Sequence, residues 1–395
     1  MTTRKPPATI KIVAGEKPKR RRRGLEISLL AALVLLIGAG AAVASVAQSD
    51  HAQTGTANAG DADAPRAGTP ATRLRLGYFG NVTHAPALIG LQEGFFQKDL
   101  GATKLSTQVF NAGPAAVEAL NAGAIDAAYV GPNPAINSFV KSKGDSIRII
   151  AGAASGGAQL VVKPTIGSAA DLKGKVLATP QLGGTQDVAL RAWLAKQGYR
   201  TDANGGGDVT INPTDNAATL KLFQEGKLDG AWLPEPWASR LVLQAGAKVL
   251  VDEKDLWDGS LTGKAGQFPT TVLIVNKTFL EQHPQTVQAL LKGHVEAVQW
   301  LQANAGPKAA DAINAGLKAA AGSALPADVI TRSLANLTFT DDPLAGAYRK
   351  LLQDGVDAGV TKQADINGLF DLRVLDSVLK DAGKPVVSVA GLGAP

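Results

Sequence analysis

The sequence predicts an α/β protein of two similar lobes facing each other across a cleft. The first observation behind this is a pattern that occurs twice. One copy runs Val117-Glu118-Ala119-Leu120-Asn121-Ala122-Gly123-Ala124-Ile125-Asp126 and on through Val130 to Pro134. The other runs Leu220-Lys221-Leu222-Phe223-Gln224-Glu225-Gly226-Lys227-Leu228-Asp229 and on through Leu233 to Pro236. Both read helix, glycine stop, Ile/Leu-Asp, short apolar strand, and a proline opening a new helix. Gly123 and Gly226 fit the residue just past a helix end, where a positive φ is needed. Pro134 and Pro236 fit a first helical turn, where no N–H is missed. Each copy therefore aims fresh helix N–H groups at a spot beyond a strand's C-terminal end, where ligands of open α/β sheets sit. The second observation is the strand–helix alternation around each copy, the mark of a parallel-type sheet in each lobe.

Composition narrows the function. The chain has 395 residues, 45% of them apolar, and 44 glycines, enough for large α/β cores. The net charge of +6 misleads. Residues 1–47 hold nine Lys or Arg against Glu16 and Glu26, so the basic excess belongs to the N-terminus and the body is close to neutral. That removes the case for nucleic-acid binding. With no cysteine there is no disulfide, thiolate nucleophile or Cys-based metal site. The four histidines, His51, His84, His283 and His294, are not paired at metal-ligand spacing. No cofactor or metal is expected.

The N-terminus reads as an address. Residues 1–26 are a basic tail, expected to stay in the cytoplasm. Residues 27–47 are an apolar run of 21 residues with only Ser28 and Ser45 polar, long enough to span a bilayer with the basic side inside. Two readings remain: an uncleaved membrane anchor, or a signal peptide cut after Ala47, where Ser45-Val46-Ala47 supplies the small residues cleavage needs. Either way the body is expected outside the cytoplasm, on the outer face of the membrane or released. Residues 48–72 lack large apolar residues and read as a flexible tether, and His51 within it has no assigned role.

Along the body, Leu74–Phe79 alternates as a strand, and Thr83 is placed to cap the helix running toward Phe95 and Phe96. Lys104–Phe110 is a second strand, Asn111–Pro114 opens the first repeat's helix, and Ile125–Val130 is a third strand followed by a helix from Pro134 to Lys141. Ile147–Ala151 and Gln159–Lys163 are strands around a small-residue loop, Ala153–Gly157. Ser168–Gly174 is a capped short helix before the strand Lys175–Thr179. Thr185 caps a helix Gln186–Gln197, and Val209–Asn212, Leu228–Leu233 and Lys248–Val251 are strands. Thr271–Asn276 returns to the first lobe. The rest is mostly helical, with Val287, Leu290, Leu291, Val295, Val298 and Leu301 on one face. This divides the body into lobe 1 (residues 73–162 with 268–395) and lobe 2 (163–267), joined by two crossings that act as a hinge.

These segments resemble a known family. Asn111-Ala112-Gly113-Pro114 through Asp126, Ser168 through Lys175, Gly226 through Trp232, and Glu235-Pro236-Trp237 are similar, in that order, to signatures of bacterial substrate-binding proteins for nitrate, taurine and alkanesulfonates. The aliphatic sulfonate branch is the most similar. The resemblance covers residues 73–305 well and the C-terminal helices loosely. It implies a two-lobe periplasmic-binding-protein-like fold of the second topological type. It also implies a monomer that captures a small anion for a permease with its ATPase, with no catalysis. Alternatives are a receptor for nitrate or for a thiamine-precursor pyrimidine. More remote is an enzyme like the thiamine-pyrimidine synthase of the same fold, which needs cysteines this chain lacks.

The resemblance and the residue reading meet at the same loops. Phe79, Asn81 and His84 follow the first strand, and Gly131 and Asn133 follow the third. Gly184, Thr185 and Gln186 open a second-lobe helix, while Glu235 and Trp237 follow the second repeat. A sulfonate carries three acceptor oxygens and no donor, so neutral N–H and O–H groups suffice to hold it. Plainer roles stand beside these: Thr185 and Asn133 as helix caps, His84 as a surface residue, Phe79 and Trp237 as core. His283 is expected to be solvated and His294 to lie on a helix face. Glu235 beside an anion is repulsive unless the ligand carries an amine, as taurine does, or its carboxylate is held by a backbone N–H.

Overall fold

Two β-sheets, each with one strand delivered by the other lobe, organise the body. The computed structural model describes residues 68–394. The basic tail, the apolar run 27–47 and the spacer through residue 67 lie outside the described residues. Among the described residues no helix is long and apolar enough to cross a membrane.

The first lobe begins with β1 (Arg73–Phe79), a 3₁₀ turn at Val82–His84, α1 (Ala85–Gln92) and α2 (Phe95–Leu100). It continues through β2 (Lys104–Phe110), α3 (Gly113–Asn121), β3 (Ala127–Val130), α4 (Pro132–Lys141) and β4 (Ile147–Gly156). The second lobe follows with β5 (Ala158–Val162), a 3₁₀ turn at Ala169–Leu172, β6 (Val176–Thr179) and α5 (Thr185–Lys196). Then come β7 (Thr210–Pro213), α6 (Asn216–Gln224), β8 (Gly230–Pro234), α7 (Trp237–Ala245), β9 (Lys248–Asp252) and a 3₁₀ turn at Glu253–Leu256. The chain returns in β10 (Pro269–Asn276) and finishes with α8 (Lys277–Gln282), α9 (Pro284–Ala303), α10 (Pro307–Ala321), α11 (Ala327–Ala335), β11 (Leu337–Phe339), α12 (Tyr348–Asp357) and α13 (Arg373–Asp381).

The sheets run β11-β4-β10-β3-β1-β2 and β7-β6-β8-β5-β9. The parallel core expected from the alternation is present: β1 pairs with β2 and β3, and β6 with β7 and β8, all parallel. Neither sheet is wholly parallel, however. β10 lies antiparallel between β3 and β4, and β5 lies antiparallel between β8 and β9. A strand arriving from the other lobe enters at the cleft, where the parallel strands end, so it must run the opposite way.

The first crossing also differs from expectation. β4 continues through the supposed loop to Gly156, and β5 already pairs in the second sheet, so the chain changes lobes at Gly156–Gly157 rather than near residue 163. Both glycines hold positive φ, +83° and +72°, which permits the tight turn. The small residues of β4 reflect crowding: a Cβ at Gly152 would lie 2.1 Å from the Asp342 carbonyl. The C-terminal helices serve both lobes. β11 extends the first sheet, α11 packs on α7, and α12 packs on both α4 and α5.

The repeat's two aspartates have matching tasks. Asp126 accepts the Arg75 N–H at 2.8 Å, and Asp229 accepts the Val176 N–H at 2.9 Å. Each ties a short strand to its parallel neighbour, at the end of the sheet away from the cleft. Gly123 and Gly226 hold φ of +69° and +74° just past α3 and α6, as the pattern requires. The apolar stripe of α9 is buried as expected, each such side chain contributing about 1.5–3 kcal/mol. One histidine expectation is corrected: His283 is buried, not solvated, with Nδ1 2.9 Å from the Thr69 carbonyl. His294 lies on a face of α9 as expected, and that face is fully buried, with the ring against the Tyr129 hydroxyl at 2.8 Å. In each case a partner distant in sequence covers the ring.

Candidate functional site

The C-terminal ends of β1, β2 and β3 face those of β6, β7 and β8 across a small void of about 30 Å³, room for a water molecule or two. From lobe 1 it is lined by Phe79, Asn81, Thr83 and His84 after β1, Asn111–Gly113 after β2, Gly131 and Pro134 after β3, and Thr270 and Thr271 of β10. From lobe 2 come Pro180, Gln181, Gly184, Thr185 and Gln186 after β6, Asn216 after β7, and Pro234 ending β8. The first turns of α3, α4, α5 and α6 thus converge there, each bringing N–H groups without intrahelical partners and the positive end of a helix dipole.

Three buried side-chain oxygens at this void have no hydrogen-bond partner among the described residues: Thr185 Oγ1, Asn216 Oδ1 and Thr271 Oγ1. Thr185 and Asn216 belong to lobe 2 and Thr271 to lobe 1. A buried polar atom left unpaired costs about 1–3 kcal/mol, so three around one void favour an occupant, water or ligand, that can hydrogen-bond to them. The Asn216 amide offers either its oxygen or, after a half-turn, its nitrogen. Thr270, by contrast, is engaged, donating to the Gly156 carbonyl at 2.6 Å.

Among the described residues no Lys, Arg, Asp or Glu lines the void, and the one titratable group there is His84. Burial lowers the His84 pKa to about 3, so its imidazole is neutral. Its Nδ1 accepts the Phe79 N–H at 3.3 Å, leaving Nε2–H as a donor, and its ring stacks on Phe79 at 4.1 Å. His84 is therefore a buried site-lining residue rather than a surface one.

Thr185 is not a cap. Gly184 holds the cap position and Thr185 is the first helical residue, which frees its hydroxyl for the void. Thr83 does not cap α1 either; it lies inside the 3₁₀ turn before that helix. The loop carrying Gly184 and Thr185 is held from behind by Asp187, whose carboxylate accepts from the Gly183 N–H at 3.0 Å, the Thr179 hydroxyl at 2.9 Å and Arg191 at 3.0 Å.

Seven of the expected residues line the void: Phe79, Asn81, His84, Gly131, Gly184, Thr185 and Gln186. The other three are not part of its lining. Asn133, the second residue of α4 and not its cap, donates to the Leu351 carbonyl of α12 at 3.1 Å. Trp237 donates from Nε1 to Asn81 Oδ1 at 2.9 Å, bridging the lobes, while Arg240 lies over its ring at 4.4 Å. Glu235 is fully buried away from the void. It accepts from the Ser239 N–H at 3.0 Å, the Ser333 hydroxyl at 3.1 Å, the Asn336 amide at 2.7 Å and Arg332 at 3.2 Å. It is a structural anchor between α7 and α11.

Asn111, Gln181, Asn216, Thr270 and Thr271 were missed. Asn111 and Asn216 each follow a strand at a helix start, the signal already used for Thr185. Thr270 and Thr271 begin a strand coming from the other lobe, and nothing local in the sequence says so.

A family model described as the NMT1-like family matches residues 67–315. The chain belongs to that family. Among curated relatives, the taurine-binding periplasmic protein of Escherichia coli is 29% identical over 55% of this chain and 64% of its own length. The nitrate/nitrite binding protein NrtA of Nostoc is 26% identical over 62% of this chain and 57% of its own. The chain thus spans less than two thirds of either. Among solved structures, the alkanesulfonate-binding protein SsuA of Xanthomonas axonopodis pv. citri, bound to MOPS, superposes with a TM-score of 0.61 at 22% identity, covering 75% of this chain and 96% of that one. The nitrate-binding NrtA of Synechocystis gives 0.62 at 17%, covering 80% and 86%. This NMT1-like chain therefore has the two-lobe periplasmic-binding-protein fold, and the void lies in its inter-lobe cleft.

Proposed function

We propose that this NMT1-like protein is the extracytoplasmic binding component of an ATP-driven importer. In this reading it captures a small sulfonate between its lobes and hands it to a permease. The observation that carries the proposal is the pair of unpaired buried hydroxyls, Thr185 Oγ1 and Thr271 Oγ1, one from each lobe on a single uncharged void. An oxyanion satisfies both at once and so links its own binding to lobe closure. Holding an anion with neutral donors also leaves no permanent counter-charge to hinder release. The names of the relatives, taurine-, nitrate- and sulfonate-binding proteins, support the same ligand class. The residues 1–47 then serve as an anchor or a removed signal, and the body works as a monomer.

Among the described residues no carboxylate lines the void, and Glu235 is committed elsewhere. An alkanesulfonate is therefore favoured over taurine, whose ammonium finds no partner there. Nitrate is the second reading, favoured by the small void. The test is a thermal-shift and calorimetric panel on the chain from residue 68 with ethanesulfonate, taurine, nitrate, sulfate and a pyrimidine. A ligand at a hundred times its Kd adds about 2.7 kcal/mol of stability. Ethanesulfonate should stand out, with taurine weaker. A response to the pyrimidine alone, or to no oxyanion, sinks the proposal.

A further inference from the structure

A second void, of about 100 Å³, lies in the same seam, and Thr185 lines both. Its walls are apolar for the most part: Ala189, Ala192 and Trp193 of α5, Trp257, and Leu351 of α12. Four charged residues, Lys196, Glu253, Lys350 and Asp354, line it as well; Glu253 is buried, with Oε2 accepting from Trp232 Nε1 at 2.8 Å. Lys350 is occupied by Asp354 and lies over the Trp257 ring at 5.0 Å. The void is larger than the one that would take the head group, and the shared residue carries an unpartnered buried hydroxyl.

Resting on the sulfonate reading above, we propose that this second void is a tail subsite. It takes the unbranched, uncharged alkyl chain of a sulfonate whose head group is held at Thr185. Ala189 and Ala192 are only half-buried because their methyl groups border this space; larger side chains there would fill it. The chain gains by leaving water for the indole and methyl surfaces, at about 0.8 kcal/mol per buried CH₂, or roughly fourfold in affinity.

The test is calorimetry with methane-, ethane-, butane- and hexanesulfonate. Wild-type affinity should rise roughly three- to fourfold per methylene until the void is full. Ala189→Leu and Ala192→Leu should flatten that rise and leave methanesulfonate within about twofold of wild type. Trp emission gives a readout independent of the variants: butanesulfonate should shift it through Trp193 and Trp257, and methanesulfonate should not. No gain with chain length in the wild type, or a gain intact in both leucine variants, overturns the tail subsite. If methanesulfonate itself does not bind, the head-group reading fails, and the tail subsite falls with it.

Discussion

Gly131 and Thr185 meet across the cleft so closely that a Cβ at position 131 would lie 2.2 Å from Thr185 Oγ1. Gly131 caps α4 in the first lobe and Thr185 starts α5 in the second, so this contact reports how tightly the lobes can shut. Gly131→Ala is expected to leave the fold intact, since φ at this residue is an ordinary −75°, while holding the lobes apart. Ethanesulfonate affinity should fall tenfold or more by calorimetry, with an unchanged circular-dichroism spectrum. Wild-type affinity in this variant would mean that closure at Gly131 does not shape the site.

Removing an unpaired hydroxyl should have opposite effects on stability and on binding. Thr185→Val and Thr271→Val each delete a buried polar atom that has no partner among the described residues, so the free protein should be unchanged or gain about 1 kcal/mol. Each loses a hydrogen bond to a charged ligand, about 1.5–3 kcal/mol, or roughly ten- to a hundredfold in affinity. Thr185→Ser should restore binding. A drop in stability from the valine variants in urea unfolding would contradict the assignment of these hydroxyls to a ligand.

The pH dependence follows from two buried groups of opposite sign. His84 falls from 6.5 to about 3 in the fold, so the unfolded chain binds the extra proton between those values and stability is lost as pH drops from about 6.5 toward 3. Glu253 rises from 4.5 to about 7, so the folded state holds the extra proton and stability is lost as pH climbs from about 4.5 through 7. Glu253→Gln should therefore gain on the wild type between pH 5 and 8, by a few kcal/mol in order of magnitude. Parallel urea midpoints for the two proteins across that range would refute the buried, proton-binding Glu253.

Arg332 reaches from α11 to the second lobe, donating to Ser239 Oγ at 2.8 Å, Gln159 Oε1 at 2.9 Å and Glu235 at 3.2 Å. Arg332→Ala strips one partner from a fully buried carboxylate. It should destabilise the fold by about 2 kcal/mol, less than complete loss of a buried pair because Asn336, Ser333 and the Ser239 N–H remain. Ligand affinity measured well below the unfolding transition should change little. A large affinity loss with full stability would place Glu235 in the binding site after all.

What could be read from the sequence was local. The repeat around Gly123 and Gly226 was legible because helix stops, strand lengths and helix starts all fall within one short segment. The same logic put Thr185 and His84 at strand ends that face the void, but it read Thr185 as a cap and left His84 open as a surface residue. What could not be read depended on distant partners. β10 and β5 run antiparallel because of where the chain re-enters each lobe, and Thr270 and Thr271 inherit their place from that. Glu235 stood among the site loops with a backbone-held carboxylate as its alternative, and the Ser239 N–H provides that; its other partners, Arg332, Ser333 and Asn336, lie about a hundred positions away and could not be read. The small residues 153–157 looked like a loop because nothing nearby announces the 340–343 segment that crowds β4 at Gly152.

The most direct test is a crystal structure of the chain from residue 68 grown with ethanesulfonate. The account predicts the sulfonate group between the lobes, with its oxygens within hydrogen-bonding distance of Thr185 Oγ1 and Thr271 Oγ1 and no Lys or Arg in contact. A sulfonate bound elsewhere, or held in the cleft by a charged side chain with both hydroxyls still unpaired, would contradict it.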